Sequence, residues 1–374
     1  MLRIFKKSWW FNIHMILGLL LGITIMIVGV TGALLSYRPE IMALINSKSL
    51  HVSKSTDTLL SLAELVEKIS KQGANVSISS LTIYTDETRS VSVNTISEQG
   101  RISYLIDPYT GEILPEMKGG EFFNIMLSLH RWMTFKGFQG MSQTGKQIVA
   151  ISTVAIIILS ISGLWLYLPS IRRNFLKSMA INFKRGWFAL LYKLHIVIGV
   201  YTLIFVLIMC LTGLYWSYGW YRTMLYKISG VEQPVRMHMQ RQSKIESVND
   251  LSYLDTVYTV FKDNIGEDYT SSTLNTLAQN GTYSISYQNI KGDTNRVQVD
   301  IEKNEIVSNS KSANRTLGEK FMSNIYPLHS GYFFGETGKF LWCISSAAMA
   351  LFIISGFVMF YKRIKARYRF GKRS

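Results

Sequence analysis

Histidine is the residue type best suited to chemistry in this 374-residue chain, and four of its six histidines hold equivalent places in two halves. His14 and His195 each stand near the start of a long apolar stretch, WFNIHMILGLLLGITIMIVGVTGALLSY from Trp10 to Tyr37 and YKLHIVIGVYTLIFVLIMCLTGLYWSY from Tyr192 to Tyr218. Each is followed four residues later by a glycine, Gly18 or Gly199, then by a Thr-Gly pair (Thr31-Gly32, Thr212-Gly213) and a Ser-Tyr pair (Ser36-Tyr37, Ser217-Tyr218). The offset between the copies stays at 181 residues throughout. Apolar composition alone does not keep register over a whole helix, so the spacing predicts a tandem duplication. His130 and His329 form the second equivalent pair. Each follows a leucine and precedes a Thr-Gly-Lys tripeptide (144–146 and 337–339), and the distance from there to Ser162-Gly163 or Ser355-Gly356 is the same in both halves.

Two halves packed about a pseudo-twofold axis would bring equivalent histidines together, an arrangement that suits bis-histidine ligation of haem. Gly18 and Gly199 lie on the histidine's own helix face, where the missing side chain would let a flat macrocycle approach the backbone. The competing account makes Gly18 and Gly22 a small-residue packing motif and the histidines interfacial polar groups; a proton relay is a third. A lone membrane histidine would favour packing. Four in symmetric pairs favour ligands: His14 with His195 and His130 with His329, holding two b-type haems, with cross-pairing between neighbouring helices as the alternative.

Other chemistries are weaker. GMSQTGK, from Gly140 to Lys146, has phosphate-loop spacing, but Gln147 stands where a metal-binding hydroxyl is needed and no strand precedes it. No dinucleotide-type G-x-G-x-x-G follows a strand. Met237-His238-Met239 offers a soft metal few ligands, and neither His51 nor His238 has a counterpart in the other half. Cys210 and Cys343 fall inside apolar runs, which suits packing and not an exterior disulfide. The aromatic group Tyr215, Trp216, Tyr218, Trp220, Tyr221 and Tyr226 reads first as a membrane-interface belt. With Arg131 and Lys136, the members Trp216, Tyr218, Trp220 and Tyr221 are the candidates to meet an anionic substrate.

The elements that must position these residues are four apolar runs, roughly 11–36, 146–168, 190–219 and 340–361, each without Asp or Glu and long enough to cross a bilayer as a helix. The net charge of +16 sits in residues 1–13, 170–193 and 361–374, which hold 16 Lys and Arg and no acid. The other 24 cations balance all 24 acids. The basicity is therefore a topology signal placing both termini and the 170–193 loop in the cytoplasm, and it argues against a nucleic-acid partner. The first run is too long for a signal peptide and has no clean cleavage site, so it is expected to stay as a helix.

The expected order is helix 1 with a cytoplasmic N-terminus (1–37), a first extracytoplasmic domain (38–120), an amphipathic segment and helix 2 (121–169), a basic loop (170–189) and helix 3 (190–221). A second extracytoplasmic domain (222–320), helix 4 with its entry segment (321–361) and a basic tail (362–374) complete it. Leu59–Lys71 and Ser247–Asn264 have helical apolar spacing; 75–84, 89–95, 101–106, 281–288, 296–301 and 305–308 read as strands. The fold class is thus a membrane protein: a four-helix bundle of duplicated halves with two small α+β domains outside. Helix 2 is expected to stop before Pro169.

Over nearly its whole length the sequence resembles the PepSY-associated membrane-helix (PepSY-TM) family of iron-regulated bacterial inner-membrane proteins. The resemblance rests on H-x3-G and Thr-Gly in helices 1 and 3, Leu129-His130, Leu328-His329 and YLIDPYTGEIL. It implies PepSY-like domains in the periplasm and, as in some members, haem-dependent reduction of ferric siderophores or other ferric chelates. Without a flavin or nicotinamide domain in the sequence, electrons are expected from a separate quinol or cytoplasmic reductase. The alternatives are a binding module for an envelope partner and an iron or siderophore permease. Ser330 stands where the first half has Arg131, so the two halves of that histidine site are not chemically equal.

Overall fold

The computed structural model describes residues 7–54, 58–71, 77–97, 100–133, 142–234, 252–276 and 281–371. The chain begins with helix α1 (Lys7–Ser36), passes short helices α2 (Arg38–Ile45) and α3 (Ser47–Leu50), and reaches α4 (Leu62–Lys71) and strands β1 (Ser77–Tyr84), β2 (Val91–Ser97) and β3 (Gly100–Ile106). Helix α5 (Gly120–Trp132) leads into α6 (Ser142–Arg173), and α7 (Phe175–Met179) into α8 (Trp187–Ser217). The second pass runs through α9 (Gly219–Ser229), α10 (Ser252–Ile265), β4 (Tyr269–Asn275), β5 (Thr282–Asn289), β6 (Thr294–Asp300) and β7 (Glu305–Ser310). Helices α11 (Leu317–Ser323) and α12 (Ile325–Ser330) then enter α13 (Gly335–Gly371). Two compact units result: a helical one of Met1–Pro39, Gly120–Gln233 and Leu317–Ser374, and a sheet-bearing one of Glu40–Gly119 and Pro234–Thr316.

Among the described residues, four helices of the first unit are long and apolar enough to cross a membrane, over Lys7–Ser36, Ser142–Arg173, Trp187–Ser217 and Tyr332–Ala366. Large apolar side chains such as Leu20, Ile23 and Ile204 remain exposed on them, which suits a hydrocarbon surrounding and not water. Helix α1 packs on α6 and α13, and α8 on the same two, so α1 and α8 face each other diagonally. The closest approach is between α1 and α13. A Cβ on Gly29 would lie 2.5 Å from Met349 Cβ, one on Gly22 would lie 3.1 Å from Ile353, and the Ser346 hydroxyl donates to Gly29 O at 2.9 Å. The small-residue seam is therefore Gly22 and Gly29; a Cβ on Gly18 would meet nothing within 4 Å. Free cysteines Cys210 and Cys343 lie in the bundle as packing groups.

Helix α6 does not stop at Leu168. It continues through Pro169 to Arg173, so the proline forgoes the bond its nitrogen would make to Trp165 O without ending the helix. The break comes at Asn174, whose side chain caps α7 by accepting from Lys177 N.

The second unit corrects the expectation of two separate domains. All strands of the described residues join in one antiparallel sheet of order β3-β2-β1-β4-β5-β6-β7. The halves meet at β1 and β4, where Leu81 pairs with Leu274 and Thr82 with Thr273, and the two threonine hydroxyls are 2.9 Å apart. Strand β4 was not expected. Its inward positions include Ser272, 1% exposed, as well as Tyr269 and Leu274, so apolar alternation does not reveal it. Leu62, Leu65, Val66 and Ile69 of α4 and Leu254, Val257 and Phe261 of α10 form the apolar stripes that cover Leu81, Val93, Leu274, Ile285 and Val297. The Asp107 and Asp300 carboxylates each accept two backbone N–H groups in the turn after β3 or β6, as their matching places in the repeat suggest.

Ser61 and Glu64 make a reciprocal capping box at the start of α4. Asp255 of α10 accepts from Leu62 N at 2.7 Å and Ala63 N at 3.3 Å, capping the same terminus from across the core. Asp255→Ala is expected to destabilise this unit by about 1–2 kcal/mol, the usual scale of a lost cap, measurable as a lower urea midpoint at unchanged slope.

Candidate functional site

His14 on α1 and His195 on α8 face each other across the bundle, their ring centres 6.3 Å apart and their planes at 64°. The Nδ1 of His14 is 2.9 Å from Ser162 Oγ on α6, and the Nδ1 of His195 is 2.6 Å from Ser355 Oγ on α13. Both serine hydroxyls donate to carbonyls of their own helices, Ser162 to Leu159 O and Ser355 to Leu351 O. A serine oxygen whose proton is so committed accepts from the imidazole. Each Nδ1 therefore carries the proton, and each Nε2 keeps its lone pair.

The second pair repeats this at the other end. His130 on α5 and His329 on α12 have ring centres 6.2 Å apart and planes at 63°. Their Nδ1 atoms donate to Val28 O and Met209 O, both at 3.0 Å. A carbonyl can only accept, so the tautomer is again fixed with Nε2 free. Thr31 Oγ1 and Thr212 Oγ1 lie 3.3 and 3.1 Å from the same nitrogens while donating to Ile27 O and Ile208 O. His130 meets α1 at Val28, fourteen positions beyond His14, so the pairs are separated by about 21 Å at a helical rise of about 1.5 Å per residue.

The repeated Thr-Gly and Ser-Gly dipeptides thereby acquire a role that their spacing alone did not reveal. The hydroxyl residue orients a histidine from another helix, and the glycine after it gives the ring room. A Cβ on Gly32 would lie 3.0 Å from His130 Cε1, one on Gly213 would lie 3.1 Å from His329 Cε1, and one on Gly163 would lie 3.3 Å from His14 Cε1. Gly356 has no such neighbour within 4 Å.

Among the described residues no group of three His, Cys, Asp or Glu side chains could hold a bare metal ion. Two imidazoles brought together would suit haem, whose macrocycle would supply the remaining ligands. The two pairs have nearly the same ring-centre separation, 6.3 and 6.2 Å, and could each hold one metal between them. A turn beyond His14 and His195, a Cβ on Gly18 would meet nothing within 4 Å and one on Gly199 only Phe352 at 3.9 Å, leaving open space beside the backbone. The residues fit haem.

The candidates for substrate contact are dispersed. Trp216 lies edge-on to His329 at 5.2 Å between ring centres. Tyr218, the residue that follows α8, leans on Trp220, itself 64% exposed and edge-on to Tyr221. Arg131 stacks over Trp132 at 4.6 Å. Lys136 and His238 lie outside the described residues, and His51 makes a β-bridge to Arg89 in the sheet-bearing unit. Sequence reasoning missed Lys339. This fully buried lysine is 2.8 Å from Glu336 Oε1 and sits over the rings of Tyr37 and Tyr332; its place in the second Thr-Gly-Lys was the available signal.

A family model described as the PepSY-associated TM region matches residues 11–363, nearly the whole chain. No curated protein matches the sequence.

Proposed function

The chain belongs to the PepSY-associated TM region family, and from that premise we propose that it is a haem-containing electron conduit of the bacterial inner membrane that reduces ferric chelates, siderophores included, at the periplasmic face. The observation that carries this is the pair of opposed imidazole sites, each with ring centres 6.2 to 6.3 Å apart and each Nδ1 tied to a hydroxyl or carbonyl. Bound haem would supply reversible one-electron chemistry that no side chain here provides. The chain's own part would be to hold it between His14 and His195 and between His130 and His329, to fix their tautomer through the Nδ1 partners and to surround them with apolar helix.

His14 and His195 would form the site at the cytoplasmic end, where the basic termini and the loop around 170–193 lie on the positive-inside rule. His130 and His329 would form the periplasmic site, and the helix-and-strand halves of the sheet-bearing unit would be two PepSY-like repeats fused through β1 and β4. A quinol or a cytoplasmic reductase would load the first site. Reduction of Fe(III) weakens its bonds to hard oxygen ligands and frees the metal.

The test is a single turnover: dithionite-reduced protein, freed of excess reductant, is mixed with ferric nitrilotriacetate and a ferrous trap. The expected result is loss of the reduced α-band together with trapped Fe(II) in matching amount. A band that persists, with Fe(II) appearing no faster than without protein, would remove the reductase assignment. Ser355→Ala leaves the His195 Nδ1–H without its acceptor; a weakening of haem retention at that site by about 10- to 100-fold is expected, read by titrating haem into the haem-free variant.

A further inference from the structure

The duplication keeps the His130–His329 pair symmetric and breaks beside it. Two residues after the Thr-Gly glycine, the first half has Leu34-Leu35 and the second Tyr215-Trp216; three residues before the histidine, the first half has Leu127 and the second Tyr326. In the fold these differences converge. The Trp216 ring is 5.2 Å from His329 and 6.4 Å from Tyr326, whose residue is 61% exposed. Tyr215 packs edge-on to Trp216 at 5.2 Å, its hydroxyl is 3.2 Å from that of Tyr226, and Arg222 lies over its ring at 6.0 Å. These are ordinary aromatic contact distances. They form an unbroken series of rings from one histidine to the surface, where the first half has aliphatic side chains.

We propose that electrons leave the His130–His329 site on the second-half side, through the packed rings of Trp216 and Tyr326, and that an anionic ferric chelate with aromatic arms docks on this α8–α12 face. This deepens the haem assignment and rests on it. Tunnelling falls off steeply with distance and less steeply through atoms in contact than across a gap, so a ring bridge between His329 and the surface favours this exit. The exposed Tyr326 ring offers stacking to a chelate with flat arms, and the Arg222 guanidinium on α9, over the Tyr215 ring at the other end of the ring series, supplies positive charge for an anionic one. One electron passes: the site is oxidised by one, Fe(III) becomes Fe(II), and no bond or proton is exchanged. Trp216 is a bridging residue; Tyr326 is the one that touches substrate.

The test compares Trp216→Leu, Trp216→Phe, Tyr326→Leu and the mirror control Leu35→Ala, with ferric tris-catecholate as the probe. Haem count and reduced spectrum are expected to match the parent. The single-turnover reoxidation rate should fall about tenfold or more in Trp216→Leu and Tyr326→Leu, recover largely in Trp216→Phe, and stay within about twofold in Leu35→Ala. A second readout needs no haem. In protein stripped of haem, the catecholate complex should quench tryptophan fluorescence saturably, and Trp216→Phe should remove most of that quench. Rates within twofold of the parent for both leucine variants, with haem intact, would overturn the exit path and leave the haem assignment standing. A parent that binds no haem would overturn the assignment itself, and absence of saturable quenching would overturn the docking face.

Discussion

His195→Ala is expected to leave the protein with one haem in place of two and to stop electron flow from a cytoplasmic or quinol donor. The described residues place His14 as the one other imidazole in this site, and the nearest polar group, Ser355, is committed to Leu351 O. A neutral hydroxyl does not replace an axial nitrogen. Alanine also removes the ring that packs at 5.4 Å on Phe352, so some loss of packing is expected, on the order of 1 kcal/mol. The ratio of extracted haem to protein should fall by about half, and quinol-driven reduction of the remaining haem by about a hundredfold or more. Dithionite, which reaches the periplasmic site directly, should still support single-turnover reduction of a ferric chelate. His14→Ala should behave the same way. If these histidines were interfacial packing groups, both variants would be destabilised without a change in bound chromophore.

Gly32→Val is expected to disable the other site through a residue that coordinates nothing. Its Cβ would lie 3.0 Å from His130 Cε1 and 2.8 Å from Ser346 Oγ. Neither can yield freely, since His130 is tied to Val28 O and Ser346 to Gly29 O. Overpacking of this kind typically destabilises by about 1–3 kcal/mol, and a binding constellation tolerates displacements of only about 0.5 Å. Both the thermal midpoint and the haem count should fall. Gly18→Val is the informative contrast, because a Cβ there would meet no protein atom within 4 Å. It should leave the haem-free protein as stable as the parent yet reduce haem retention beside His14, since the space it fills is where the macrocycle would lie. Equal haem retention in Gly18→Val and the parent would count against that placement.

The histidine pairing was legible because duplication writes the same residue at the same place twice, and a pseudo-twofold arrangement turns sequence equivalence into proximity. The roles of Ser162, Ser355, Thr31 and Thr212 were not legible. Each meets a histidine of another helix 99 to 160 residues away, so the repeat marks them as special without saying for what. The joining of two outer segments into one sheet was hidden for a related reason. Leu62–Ile69 and Leu254–Phe261 announce two amphipathic helices, but the seam is made by β4, whose serines and threonines pair through backbone and hydroxyl groups and give no apolar signal. Pro169 misled in the opposite sense, a strong local stop signal through which the helix continues.

The most direct test of the central claim is the absorption spectrum of the detergent-purified protein, oxidised and dithionite-reduced, with extracted haem counted against protein. The expected result is a sharp reduced α-band and two b-type haems per chain, one lost with His14 or His195 and the other with His130 or His329. A colourless protein purified from cells supplied with haem would contradict it.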